Sequence, residues 1–163
     1  MNVSSLRDMY VTELQEARSL EEQLVGALPK MADKATHPQL QEGIKEHLAE
    51  TRSHLQRVED ILGRHGADVH EHTDQSMQKL IAESEKWADM VEEPSLRDAG
   101  LIASAQRIEH YEIAAYGTLA SWAKQLGLDD DLNALLSILE EEKAADGKLS
   151  ELAKREVNPE AVG

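Results

Sequence analysis

Ile102-Ala103-Ser104-Ala105-Gln106-Arg107-Ile108-Glu109-His110-Tyr111-Glu112-Ile113-Ala114-Ala115-Tyr116-Gly117-Thr118-Leu119 decides the fold. Its apolar positions recur at helical spacing: Ile102, Ala105, Tyr116 and Leu119, continuing to Ala123 and Leu126. Glu109 and Glu112 occupy the two central positions of that stripe. A helix that turns two carboxylates toward its own core must meet compensating groups there, because an uncompensated buried carboxylate costs several kcal/mol, roughly.

Working outward, the same pattern recurs on three more segments. From about Ser5 to Met31 the stripe is Tyr10, Leu14, Ala17, Glu21, Leu24, Leu28 and Met31, with Ser5 and Asp8 reading as a capping box. Pro29 removes a backbone donor, so this helix should kink or end near it. The second segment opens at Thr36-His37-Pro38 and closes near Gly63 or Gly66. Beside its apolar set (Ile44, Leu48, Leu55, Val58, Leu62), His47, Glu50 and His54 share one face. The quoted stretch belongs to a helix from Pro94-Ser95 to Gly127, with Ser95 and Asp98 reading as its capping box. The last segment starts at Asp129-Asp130-Asp131 and runs to about Val157, before Pro159. Its stripe, Leu132, Leu135, Leu139, Glu142, Asp146, Leu149 and Ala153, again places acids at its centre.

Short links around Asp33 to His37 and at Gly127-Leu128 make two antiparallel hairpins. Arg64 to Pro94 is too long for a bare loop and should carry a short crossover helix with Met77, Leu80, Ile81, Trp87 and Val91 on its apolar face. Two hairpins and one long crossover describe an all-α, ferritin-like antiparallel four-helix bundle, a single domain over residues 1–163. Heights within each hairpin agree. Counted from its own turn, each of Glu21, Glu50, Glu112 and Glu142 lies about 21 to 24 Å along its helix at 1.5 Å per residue. No Lys or Arg falls in those stripe layers, Arg57 at the edge of the second helix being the nearest. A pair of metal ions would satisfy the charge. Oxygen-rich coordination with one or two imidazoles suits iron or manganese and disfavours a closed zinc site.

Composition agrees. With 32 acidic and 17 basic residues the formal charge is −15, which argues against binding nucleic acid or an anionic membrane surface. The chain has no cysteine, which excludes disulfides, thiolate metal sites and iron–sulfur clusters. Aromatics are sparse, with no Phe, against a β-sandwich. No apolar run approaches a membrane span and no signal-peptide pattern opens the chain, so a cytoplasmic setting is expected.

The runs Glu109-His110-Tyr111-Glu112-Ile113-Ala114, Tyr116-Gly117-Thr118-Leu119, His47-Leu48-Ala49-Glu50-Thr51 and Glu140-Glu141-Glu142-Lys143-Ala144 resemble the YciE/YciF-type ferritin-like stress-protein family over nearly the whole chain. Glu109-x-x-Glu112 is also similar to the third helix of rubrerythrins. The resemblance implies a di-iron or di-manganese centre with Glu21, Glu50, Glu109, Glu112, Glu142 and Asp146 as ligands. Position 53 is serine, where a ferritin Glu-x-x-His pattern would place histidine, so nitrogen would come from His47 or from His54; the family pattern favours His47. Asp146 stands where related di-iron proteins place a histidine.

The expected function is a stress-associated oxidoreductase reacting with O₂ or H₂O₂ through two iron or manganese ions, as a homodimer, with no catalytic residue beyond the ligands. The alternative is a non-enzymatic metal-binding or structural bundle acting through partners. His110 is expected outside the bundle, His65, His70 and His72 in a polar loop, and Tyr10 and Tyr116 in the core.

Overall fold

The computed structural model describes residues 2–163. Helices α1 (Leu6–Lys34) and α2 (Pro38–Arg64) form the first hairpin, α3 (Gln75–Met90) is the crossover, and α4 (Pro94–Gln125) and α5 (Asp129–Leu152) form the second hairpin. A π-helical turn (Ala153–Val157) and a short α6 (Asn158–Val162) follow without a break. Around the bundle each long helix touches two others: α1 packs on α2 and α4, and α5 packs on α2 and α4. α3 lies across α4 and α1. The all-α four-helix bundle with one helical crossover is therefore what the chain forms, and among the described residues no helix is long and apolar enough to cross a membrane.

The ends of the helices follow local chemistry, with three departures from expectation and one alternative, an end at Pro29, that does not occur. Ser5 Oγ accepts from Asp8 N at 3.1 Å, but the Asp8 carboxylate turns back to Ser4 N and Oγ rather than to Ser5. Pro29 does not end α1, which continues to Lys34. Pro29 sits on the exposed face, where water can serve the carbonyl left without a donor, while Met31 and Ala32 bury the next turn. Nor does Pro159 stop the last helix: in the π-helical turn before it, Asn158 N donates to Ala153 O, and Pro159 falls in the first turn of α6. The cap of α4 is Glu93, accepting from Leu96 N at 2.8 Å, and not Ser95. Helices α2 and α4 end as expected, at glycines with positive φ, Gly66 (64°) and Gly127 (70°).

Asp98 is released for a longer-range task. Buried to 3% exposure, its carboxylate accepts from Thr36 N (2.8 Å), Thr36 Oγ1 (2.6 Å) and His37 N (2.9 Å). It thus pins the turn of the first hairpin to the start of α4. At the opposite end Asp131, opening α5, accepts from Arg64 (2.7 Å) and from the Tyr10 hydroxyl (2.9 Å), and lies 2.6 Å from His65 Nε2. Together these two staples set the height of one hairpin against the other. Fourteen residues separate Asp98 from Glu112, and eleven separate both Asp131 from Glu142 and Tyr10 from Glu21.

Between the staples the core divides in two. One apolar cluster gathers Leu24, Leu28, Leu40, Ile44, Leu101 and Ile102 with Met77 and Ala88 of α3. The other gathers Tyr10, Leu14, Val58, Leu62, Leu119 and Leu135. On α3 the inward residues are Met77, Ser84 and Ala88, whereas Trp87, expected on the apolar face, is 43% exposed. The carboxylate-bearing turns of the four long helices lie at the boundary between the two clusters.

Candidate metal centre

Each stripe acid of the inner layer comes from mid-helix, where backbone groups are already paired and only side chains can compensate it. Glu21 (α1), Glu112 (α4) and Glu142 (α5) are fully buried, and Glu109 is 2% exposed. From α2, His54 is fully buried and His47 is 9% exposed. His47 Nε2 lies 2.9 Å from Glu109 Oε1 and 3.9 Å from Glu112 Oε2. His54 Nδ1 lies 2.8 Å from Glu142 Oε1 and 3.6 Å from Glu21 Oε1.

Two groups result. One is His47, Glu109, Glu112 and Glu142; the other is Glu21, His54 and Glu142. Within each, one candidate ligand atom per residue lies within 4.8 Å of all the others. Glu142 belongs to both, the position a bridging carboxylate would hold.

Of the residues expected at the site, the structure brings Glu21, His47, His54, Glu109, Glu112 and Glu142 together. Both histidines reach the layer. Glu50 stands at its edge, 37% exposed, with Oε2 3.6 Å from His47 Nδ1. Asp146 lies outside both groups, accepting from Gln106 Nε2 (3.2 Å) and facing the exposed His110 (3.3 Å). The loop histidines part company: His65 joins Asp131 and His72 approaches Glu16. Arg57 pairs outward with Glu141.

Two contributions went unread in the sequence, those of Glu141 and Thr51, and a third, a hydrogen bond from Tyr116, stood there only as the alternative to a purely core role. The Tyr116 hydroxyl donates to Glu21 Oε1 at 2.5 Å, fixing that carboxylate. Glu141 Oε2 comes within 3.4 Å of the second ring nitrogen of His54. Thr51, fully buried between the two histidines, has a hydroxyl without a hydrogen-bond partner. Its spacing, four after His47 and three before His54, was the available signal.

Electrostatics show what the layer lacks. Burial drives the Glu112 carboxyl well up, reinforced by the charges of Glu142, Glu21 and Glu109. Burial likewise raises Glu21, and raises Glu109 to about 8. Burial alone would lower the histidines, but their carboxylate contacts win: His54 rises to about 10 through Glu142 and Glu21, and His47 rises well above its usual value through Glu109 and Glu50. Burial would raise Glu142 too, yet its contacts with His54 and Glu109 hold it down.

Protons thus stand in for missing positive charge, and hydrogen-bonding capacity is still left over. Both oxygens of Glu112 and Glu142, one each of Glu21 and Glu109, and both ring nitrogens of His47 and His54 are buried without a geometrically sound hydrogen bond. Among the described residues no Lys or Arg lies within ion-pair distance of Glu21, Glu109, Glu112 or Glu142. Four carboxylates and two imidazoles, converging with hydrogen-bonding capacity to spare, fit two hard-to-borderline divalent cations.

The comparisons with known proteins agree with the fold and with the resemblance. Protein YciF of Escherichia coli (strain K12) is 38% identical over 162 residues, 99% of this chain and 98% of that protein. The crystal structure of the E. coli stress protein YciF matches with a TM-score of 0.91 at 37% identity, covering 96% of this chain and 99% of that one. YcfI from Rhodopseudomonas palustris matches with a TM-score of 0.88 at 36% identity, covering 91% and 95% respectively. The family model described as "Domain of unknown function (DUF892)" spans residues 5–162, so the chain belongs to the DUF892 family, with YciF as a full-length relative.

Proposed function

We propose that this chain is a stress-associated dimetal protein that holds two iron or manganese ions and reduces O₂ or H₂O₂. The observation that carries the reading is Glu142, shared by two buried ligand groups that between them leave ten oxygens and nitrogens without a geometrically sound hydrogen bond. His47, Glu109 and Glu112 would hold one ion, Glu21 and His54 the other, with Glu142 between them. When bound, a pair of such ions supplies two electrons to an oxidant, each changing by one unit.

The chain's own residues set the conditions for that chemistry. The two apolar clusters above and below the layer shield Glu21, His54, Glu112 and Glu142 from bulk water. Tyr116 orients Glu21, and Glu141 faces the outer nitrogen of His54, as second contacts to ligating side chains commonly do. Glu50, held low chiefly by its contact with His47, stays ionised at the edge of the layer. The reading includes a homodimer, for which Trp87 and Met90 on one exposed side of α3 offer apolar contact.

The test is metal content after purification without chelators, joined to assays of Fe²⁺ oxidation and H₂O₂ consumption for wild type and Glu112→Ala. Turnover that tracks bound metal and disappears in the variant is the expected result. Bound metal without turnover would move the protein to the non-enzymatic reading; no bound metal, with stability indifferent to chelator, would remove the centre itself.

A further inference from the structure

A cavity of about 320 Å³ opens between the four long helices on the side of the layer nearest the first hairpin's turn. Its walls are aliphatic, formed by Leu28 and Met31 of α1, Leu40 and Ile44 of α2, and Leu149 and Leu152 of α5. Its inner end is polar: His47 and Glu109 line it, with Glu50 beside them. The imidazole of His47 is nine-tenths buried, and neither of its nitrogens has a sound hydrogen bond. Glu21, His54, Glu112 and Glu142 do not line the cavity, so it meets only one half of the layer.

Small residues keep this space open. Gly43 lines the cavity from the middle of α2, with no positive φ that would call for glycine, at the cost glycine carries in a helix. A Cβ built there meets nothing within 4 Å. Ala105 lines the opposite side from α4. A larger side chain at either position would recover packing that the void forfeits.

The lining selects a ligand. Benzene occupies an engineered cavity of about 150 Å³, so this one admits roughly a dozen non-hydrogen atoms. Aliphatic walls favour a hydrocarbon body, and the imidazole and carboxyl at the inner end favour a hydroxyl-like terminus. At the rim the exposed Glu42 and Glu46 outnumber Lys148, and Glu50 beside the inner end adds a further carboxylate, so an anion such as a fatty carboxylate is repelled. We infer that the cavity binds a neutral aliphatic molecule with one terminal oxygen function, the class that includes alkyl hydroperoxides, with that end against His47 and Glu109. The inference names the substrate class of the dimetal site and rests on that reading for its chemistry. Binding itself needs no metal.

The experiment titrates metal-free and manganese-loaded protein with 1-octanol and with octanoate by calorimetry, and follows the Met31 and Ile44 methyl resonances in the metal-free form, where no paramagnetic ion broadens them. Saturable 1-octanol binding is expected in both forms, with saturable methyl shifts in the metal-free one, and octanoate about tenfold weaker or more. Gly43→Leu, and Ala105→Phe should the first fail to fold, are expected to weaken 1-octanol about tenfold or more while leaving manganese stoichiometry unchanged. Absence of saturable shifts, or an unaltered response in the folded filled variants, overturns the pocket even if metal binds normally. Octanol binding without any manganese binding would instead leave the pocket standing and remove the metal reading.

Discussion

The two ligand groups are built from the same residue types but lie in different surroundings. The group of His47, Glu109 and Glu112 borders a cavity, and Glu50 at its edge reaches solvent. The group of Glu21 and His54 is fully buried, with Tyr116 bonded to one side and Glu141 near the other. Only Glu142 belongs to both. The contrast assigns exchange and access to the open half and a fixed, water-poor environment to the sealed half. It also means that the two halves must respond differently to substitution.

The largest effect is expected at the shared residue. Glu142→Ala should weaken both ions by about 100-fold or more, beyond what losing an outer contact costs, as read by metal titration. Next, His54→Ala should empty the sealed half and also destabilise the metal-free fold by about 3 kcal/mol, roughly 10 °C in Tm, because Glu142 loses the buried cation beside it. His47→Ala, with a partly open site, should lose one ion with a smaller fall in Tm; equal falls for the two variants would break the comparison.

The pH dependence sharpens it further. Glu109 holds its proton to about 8 when folded against a usual 4.5, and His54 to about 10 against 6.5. Over pH 4.5–8 for Glu109, and 6.5–10 for His54, the folded chain keeps protons that the unfolded chain releases. Stability of the metal-free protein should therefore fall as pH rises through these windows. Added metal displaces those protons, so its stabilising effect should grow with pH. Thermal melts at pH 5, 7 and 9, with and without Mn²⁺, read both slopes; a metal-free Tm that climbs toward pH 9 would contradict the assignment. Smaller still, Tyr116→Phe should cost about 1 kcal/mol and weaken only the sealed ion, about tenfold. Asp146→Ala should leave metal binding unchanged within measurement, since Asp146 faces Gln106 and His110.

Much of this layer was legible in the sequence because helical periodicity and hairpin length are local properties. Glu21, Glu109, Glu112 and Glu142 interrupt apolar stripes, and counting from each turn puts Glu21, Glu112 and Glu142 at matching heights, as it does Glu50, which stands at the edge of the layer instead. Periodicity also explains α2: seven residues advance a helix by about 700°, so His47 and His54 stay within about 20° of each other, while Glu50 lies about 60° from His47. By the same count Asp146 is rotated about 40° from Glu142, and its carboxylate meets Gln106 and His110 of α4 rather than the layer. Rotation alone does not decide this, since Glu109 and Glu112 stand about 60° apart and both reach the layer; the partners that Asp146 finds on α4 do, and they are not legible in its own stripe.

What stayed hidden depends on contacts distant in sequence. Asp98 reads as a local cap, yet it binds Thr36 and His37, 62 and 61 residues away. Nothing near Asp131 announces Tyr10, 121 residues earlier. These two staples align the hairpins, which counting within either hairpin cannot do. Trp87 was misplaced for a related reason: which side of α3 faces inward is set by how the crossover settles on α1 and α4, and Ser84 and Ala88 allow the closer approach.

Stoichiometry tests the central claim most directly. Metal-free protein, titrated with Mn²⁺ and followed by bound metal per chain, is predicted to take up two ions with release of protons as the carboxyls and imidazoles give theirs up. Uptake of a single ion, or none at micromolar Mn²⁺ and Fe²⁺, would contradict a shared Glu142 holding two sites.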